Sequence, residues 1–372
     1  MMDKFIYLDY SATTKPDQTV LDYFNDVVNK SWGNPNSNYY LAKDSKNIID
    51  EAAKNILNYF NTEHELIFTS GASEACNLAI KGITINNNKI KIITTELEHH
   101  SGMGPIGHLQ KQGYEIQFVK LTEEGIVDLN HLESMLDDNT LLVSVIAIDS
   151  EIGIKQPIEE IGLLLKDKDI YFHSDITQAV GKTTLDLTNV DLASFSGHKI
   201  YTFKGIGGLL KKKNIKLSPL VHGGKSTTVY RSGTPATELI ASLSASFELI
   251  KDNEDDKYLY VQKLNKKLRE ELTSIPNVYI NSNHLSIPHI LNISIINKNS
   301  NDTQKYFEEN DIFISTKTAC ASNTDLSKSV LALTKDEERA ESSVRISLSY
   351  KTTEAELEEF LRVLKIYVGG HL

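Results

Sequence analysis

A chain of 372 residues can bury one large hydrophobic core with a smaller companion, which excludes a single small binding module. Its 50 acidic against 39 basic side chains leave a net charge of −11, so small molecules and proteins are expected as partners, with no direct nucleic-acid and no membrane binding. Cys76 and Cys320 lie too far apart for a metal-ligand pair, and neither a disulfide framework nor a metal site is expected. The segment 1–16 has no apolar signal-peptide core, and no apolar run approaches the ~18 residues of a membrane span, so a cytoplasmic location is expected.

In chain order, Ile48, Ile49, Ala52, Ala53, Ile56, Leu57 and Phe60 recur at helical spacing over 47–60, and the apolar run Leu66–Phe68 follows as a buried strand. Further runs rich in β-branched residues occupy Lys91–Thr95, Ile116–Val119, Leu141–Ile148, Ile170–Phe172 and Leu192–Phe195, several of them separated by helix-like stretches such as Pro157–Lys166. This alternation predicts an α/β fold with a mostly parallel sheet covered by helices on both faces. Beyond about residue 250 the texture changes to a charged helix over Asp252–Leu272 and isolated strands near Val278–Ile280 and Ile290–Ile296, the pattern of a second, α+β domain. The acidic stretch Asp252–Asp256 and the run Lys211–Lys213 read as solvated surface.

Open α/β sheets bind ligands at the carboxyl ends of their strands, and four chemically coherent segments fall there. Ser70-Gly71-Ala72-Ser73-Glu74 joins a strand to a helix, where small residues let main-chain N–H groups approach a phosphate; the same turn also serves simply to start a helix. His99, in Glu98-His99-His100, can stack on an aromatic ligand or move a proton, or be structural. Asp175, in Ser174–Gln178, is a strand-end acid or a helix cap. Lys199, in Ser196-Gly197-His198-Lys199, is a strand-end lysine able to form a Schiff base, followed by Lys204-Gly205-Ile206-Gly207-Gly208, whose glycines permit close backbone approach to a ligand or make a turn. Together they supply a phosphate cradle, a ring-stacking imidazole, an acid for a pyridinium nitrogen and a lysine for an aldehyde, which are the parts pyridoxal 5'-phosphate (PLP) requires.

On these segments, and from Tyr7-Leu8-Asp9-Tyr10-Ser11-Ala12-Thr13-Thr14 through Ser343–Leu348, the sequence resembles the class-V aminotransferase family of fold-type-I PLP enzymes and, within it, the cysteine desulfurases. The resemblance implies a large domain over 14–255 built on a mostly parallel seven-stranded sheet, and a small α+β domain formed by 1–13 with 256–372. It implies PLP anchored on Lys199, faced by Asp175 at the pyridine nitrogen, by Gln178 near the ring hydroxyl and by His99 stacked on the ring. Ala72, Ser73, Ser196 and His198 match phosphate-binding positions. Thr234, in Arg231-Ser232-Gly233-Thr234, matches a residue lent to the neighbouring subunit's phosphate, which implies a homodimer. Cys320, in Thr318–Ser322, is similar to the nucleophile that takes sulfur from L-cysteine as a persulfide, and Asn323–Lys328 has the length of the long-loop desulfurases that hand sulfur to an acceptor protein, an iron–sulfur scaffold or a tRNA-thiolation enzyme. Arg345 matches the residue that pairs with the substrate carboxylate, and Asn34, in Gly33-Asn34-Pro35, a second substrate contact. Cys76 is assigned to packing.

The sequence departs from the family pattern near the cofactor. Ser150 stands where an asparagine is expected near the ring hydroxyl, Tyr39 and Ala42 replace a histidine and a glycine, Lys317 replaces a glycine before the cysteine, and Lys225–Thr228 replaces a polar and charged run. Two alternatives follow: another class-V lyase or transaminase in which Cys320 is incidental, or a catalytically weak sulfur-relay protein.

Overall fold

The computed structural model describes residues 5–84, 87–316 and 326–369. Twelve strands occur among them in chain order: β1 (Ile6–Tyr7), β2 (Glu65–Thr69), β3 (Lys91–Thr94), β4 (Glu115–Phe118), β5 (Thr140–Ser144), β6 (Tyr171–Asp175), β7 (Leu192–Ser196), β8 (Gly207–Lys211), β9 (Val278–Ile280), β10 (Ile290–Ile295), β11 (Ile312–Phe313) and β12 (Ser343–Ser347).

Seven of these form one sheet in the order β2-β8-β7-β6-β5-β3-β4. Five, from β7 to β4, pair in parallel, while β8 runs antiparallel to both β7 and β2. Every residue of β3, β5 and β7 is buried, as expected of strands covered on both faces, and apart from Lys91, whose ammonium pairs with Asp137, the runs are apolar or small rather than alternating. The helix Tyr40–Tyr59 turns Ala42, Ser45, Ile49, Ala52 and Ile56 inward and extends further toward the amino terminus than the apolar stripe over 47–60 suggested.

Three sequence expectations need correction. The run Leu141–Ile148 is a strand only to Ser144; Val145–Ile148 continues as buried chain toward the cavity described below. Gly207 and Gly208 lie inside β8, not in a turn, and their bareness serves packing: a Cβ at Gly207 would sit 2.5 Å from the Phe195 carbonyl oxygen and 2.7 Å from Gly71 Cα. Lys211 is fully buried rather than solvated, its ammonium paired with Glu65 at 2.9 Å and donating to the Ile215 carbonyl at 2.8 Å, so its charge is satisfied inside the fold.

A second hydrophobic cluster gathers Leu8 with Leu264, Leu268, Leu291, Ile293, Phe307, Val344, Phe360 and Leu364. It packs on the antiparallel sheet β12-β10-β9 and on the parallel pair β1-β11, so the amino-terminal strand joins the carboxyl-terminal core. No helix among the described residues is long and apolar enough to cross a membrane.

Gly207→Ala is expected to cost ~1–3 kcal/mol through overpacking against backbone. Gly224, where an added methyl group would meet nothing within 4 Å among the described residues, is the control. Thermal melts of Gly207→Ala and Gly224→Ala should show a lowered midpoint only in the first.

Candidate active site

The carboxyl ends of β2, β6 and β7 border a cavity of about 290 Å³. Its first wall is the turn from β2 into the helix Ala72–Gly82. Gly71 has φ +147°, a conformation glycine alone adopts without strain, and the helix begins with no side-chain cap hydrogen bond. Ala72 and Ser73 open the helix and line the cavity, an arrangement whose free N–H groups and helix dipole could hold an anion. Glu74 steadies the turn, accepting from the Ser70 amide at 2.7 Å and from Arg231 Nε at 3.0 Å.

The facing wall follows β7, where Ser196 leads into the short 3-10 turn Gly197–Lys199. Its place is fixed by Thr14, whose amide and hydroxyl donate to the His198 carbonyl at 2.8 and 3.0 Å, and His198 Nδ1 lies 3.1 Å from Thr13 Oγ1. Lys199 lines the cavity half-buried. Burial and the neighbouring Lys199 charge push the His198 imidazole down to about 4.

His99 caps the helix His100–Lys111, its Nδ1 accepting from the Ser101 amide at 3.1 Å, so the proton of the neutral ring sits on Nε2. Burial and Lys199 push His99 down to about 4, and the ring is neutral at pH 7. Asp175, at the end of β6, is buried, which disfavours its charge, yet hydrogen bonding from Thr177 with His99 and Lys199 nearby holds its carboxyl below the usual range. Gln178 donates from Nε2 to the Ser11 carbonyl at 2.9 Å and accepts from the buried Lys182 Nζ at 2.6 Å. Burial, Lys199 and Arg345 lower the Lys182 ammonium to about 7.

Arg345 projects from β12 between the two cores. It donates to the Ser150 carbonyl at 2.8 Å and pairs with Asp9 at 2.7 Å, while its Nε has no partner among the described residues. Ser150 itself lines the cavity. The flanking Asp149 is raised to about 6 by burial and by Glu151, and accepts from Ser329 Oγ at 2.7 Å. A second cavity of about 560 Å³ adjoins the first at His99 and Ser150 and runs along the helix Lys328–Thr334.

Ala72, Ser73, His99, Ser150, Asp175, Gln178, Ser196, His198 and Lys199 thus come together around one cavity. Asn34 and Thr234 are exposed and do not line it; the Asn34 side chain instead accepts from the Asn36 amide at 3.0 Å. Cys320 and Lys317 lie outside the described residues. The residues Asp9, Ser101 and Lys182 carry no motif of the site in the sequence: Asp9 and Lys182 reach it through Arg345 and Gln178, and Ser101 lines the cavity beside His99. The i,i+4 spacing of Gln178 and Lys182 and the placement of Ser101 two residues after His99 were the available signals.

Residues 6–360 match the model of the family "Aminotransferase class-V". The chain belongs to this family. Its curated relatives place it in the cysteine desulfurase branch: it is 37% identical to the cysteine desulfurase IscS of Clostridium botulinum, over 98% of this chain and 94% of that protein. It is 35% identical to IscS of Rickettsia bellii, over 96% and 90%. Among solved structures, a NifS-like protein superposes with a TM-score of 0.91 at 29% identity, covering 98% of this chain and 99% of that one. The structure described as SspA in complex with cysteine superposes with a TM-score of 0.82 at 29% identity, over 94% and 100%. Class-V aminotransferases of this branch are PLP-dependent, and the uncapped helix start beside Gly71 together with the buried Asp175 anion fits that cofactor's phosphate and ring nitrogen.

In histidine-labelled apoprotein, the His99 ring is expected to keep its neutral NMR shifts down to about pH 5, with the signal assigned by its loss in His99→Ala. Because the folded value lies below the unfolded one, the unfolded chain binds this proton first, so the contribution of His99 to stability is present above the unfolded value of ~6.5 and is lost as pH falls from there toward 4. A midpoint near 6.5 would contradict the burial argument.

Proposed function

We propose that this class-V cysteine desulfurase converts L-cysteine to L-alanine and takes the sulfur onto Cys320 as a persulfide, for transfer to an acceptor protein. The observation that carries the reading is the convergence of Lys199, His99, Asp175 and the uncapped helix turn on one cavity with Arg345 at its edge. PLP held on Lys199 supplies an electron sink for charge developing at the substrate α-carbon. Asp175, kept ionised, balances the positive charge of a protonated ring nitrogen. Ala72, Ser73, Ser196 and His198 would hold the phosphate, joined by Thr234 of a second copy in a homodimer, and Gln178 and Ser150 would serve the ring hydroxyl, the shorter serine by way of a water.

Arg345 receives the substrate carboxylate with Asn34 as a second contact, and Asp9 holds the guanidinium in place for it. Neutral His99, with its proton on Nε2, would stack on the ring and offer that proton to the reacting atoms. The Cys320 thiolate forms an S–S bond as the substrate Cβ–S bond breaks, and the electron pair left on carbon takes a proton to give the alanine methyl group. An acceptor thiol then removes the outer sulfur. The acceptor is an iron–sulfur scaffold or a tRNA-thiolation enzyme.

Mass spectrometry after exposure to L-cysteine should find one added sulfur on the Cys320 peptide, and Cys320→Ser should lose at least ~10²-fold in alanine formation while keeping the yellow cofactor colour. Undiminished turnover in that variant would overturn the persulfide step. Turnover of an amino acid without sulfur or selenium would favour a lyase or transaminase.

A further inference from the structure

Asp175 is held by more than its own strand. Its Oδ1 accepts from the Thr177 amide at 3.0 Å, whereas Oδ2 receives two side chains from two different helices. The Ser101 hydroxyl, in the first turn of His100–Lys111, donates at 3.0 Å, and the Cys76 thiol, inside Ala72–Gly82, donates at 3.7 Å. Both donors are buried, Cys76 completely. Burial and the adjacent Asp175 charge push the Cys76 thiol well up, so it stays protonated and able to donate. Ser101 Oγ also lies 2.7 Å from His99 Nδ1; its single proton has two acceptors in reach, and the charged carboxylate is the stronger one. The other titratable neighbours of Asp175 are His99, Lys199, His173 and Glu98, the last a buried carboxyl raised to about 8.

We propose that Ser101 and Cys76 are positioning residues for Asp175: donating to one carboxylate oxygen from two helices, they fix its orientation and weaken it as a base, so that a proton shared with the cofactor stays on the ring nitrogen. The inference rests on the reading of Asp175 as the residue facing that nitrogen. It gives Cys76, a buried thiol on the helix that opens the phosphate cradle, a role beyond packing. The same helix thus grips the cofactor at one end and the Asp175 anion partway along its length, while the helix behind His99 supplies the second donor.

The test is a pH titration of the visible absorption band of the PLP-loaded enzyme. Loss of a donor makes Asp175 more basic and draws positive charge off the ring, which raises the proton affinity of the imine nitrogen on Lys199. Ser101→Ala and Cys76→Ala are expected to move the band's titration midpoint upward, by ~0.5 unit or more for Ser101→Ala. Ser101→Thr and Cys76→Ser keep a donor and should restore it, an outcome that a merely structural role would not produce and that remains readable if an alanine variant folds poorly. Midpoints unchanged in both alanine variants while Asp175→Asn moves the band would overturn the proposal and leave the reading of Asp175 intact. A band that Asp175→Asn also fails to move would overturn both.

Discussion

The parallel pairing of β6 with β7, in the register that sets Asp175 opposite Ser194, is the constraint on which the site depends. It ends two strands side by side, so that the acid closing β6 and the lysine-bearing turn after β7 face one cavity. The reversed strand β8 secures β7 from the other side, and its paired glycines let it approach Phe195 and the Gly71 turn closely enough to bring the anion cradle against Ser196. A residue with a side chain at Gly207 would separate the two walls of the site.

Charge in the cavity is arranged by burial as much as by residue type. Arg345 is matched by Asp9, burial draws the Lys182 ammonium down to about 7, Asp175 is held ionised, and the imidazoles of His99 and His198 are held neutral. Glu98, buried beside His99 and accepting from the Ile146 amide, is raised to about 8 and carries a proton at pH 7. The buried anion at Asp175 is thereby left with donors and a cation around it rather than unopposed.

Much of this was legible in the sequence. The strand runs at Lys91–Thr95 and Leu192–Phe195 marked sheet positions, and the residues just beyond the strands marked the cavity, because in a doubly wound fold strand ends and ligand sites coincide. The α+β texture beyond residue 250 corresponds to the second core around Leu264 and Phe307. What was illegible depends on partners distant in sequence. Strand β8 was hidden because its glycines carry no β signal, although they are required by backbone contact. Lys211 looked like surface because its partner Glu65 stands 146 positions earlier. The Asp9–Arg345 pair spans nearly the whole chain, and the donors from Ser101 and Cys76 to Asp175 converge only once two helices have packed.

Every role proposed for the cavity requires Lys199 to anchor PLP covalently. Borohydride reduction of the PLP-loaded enzyme, followed by peptide mass mapping, tests it most directly. A phosphopyridoxyl group is expected on the peptide containing Lys199. An adduct on Lys182 or Lys204 instead, or no adduct at all, would contradict it.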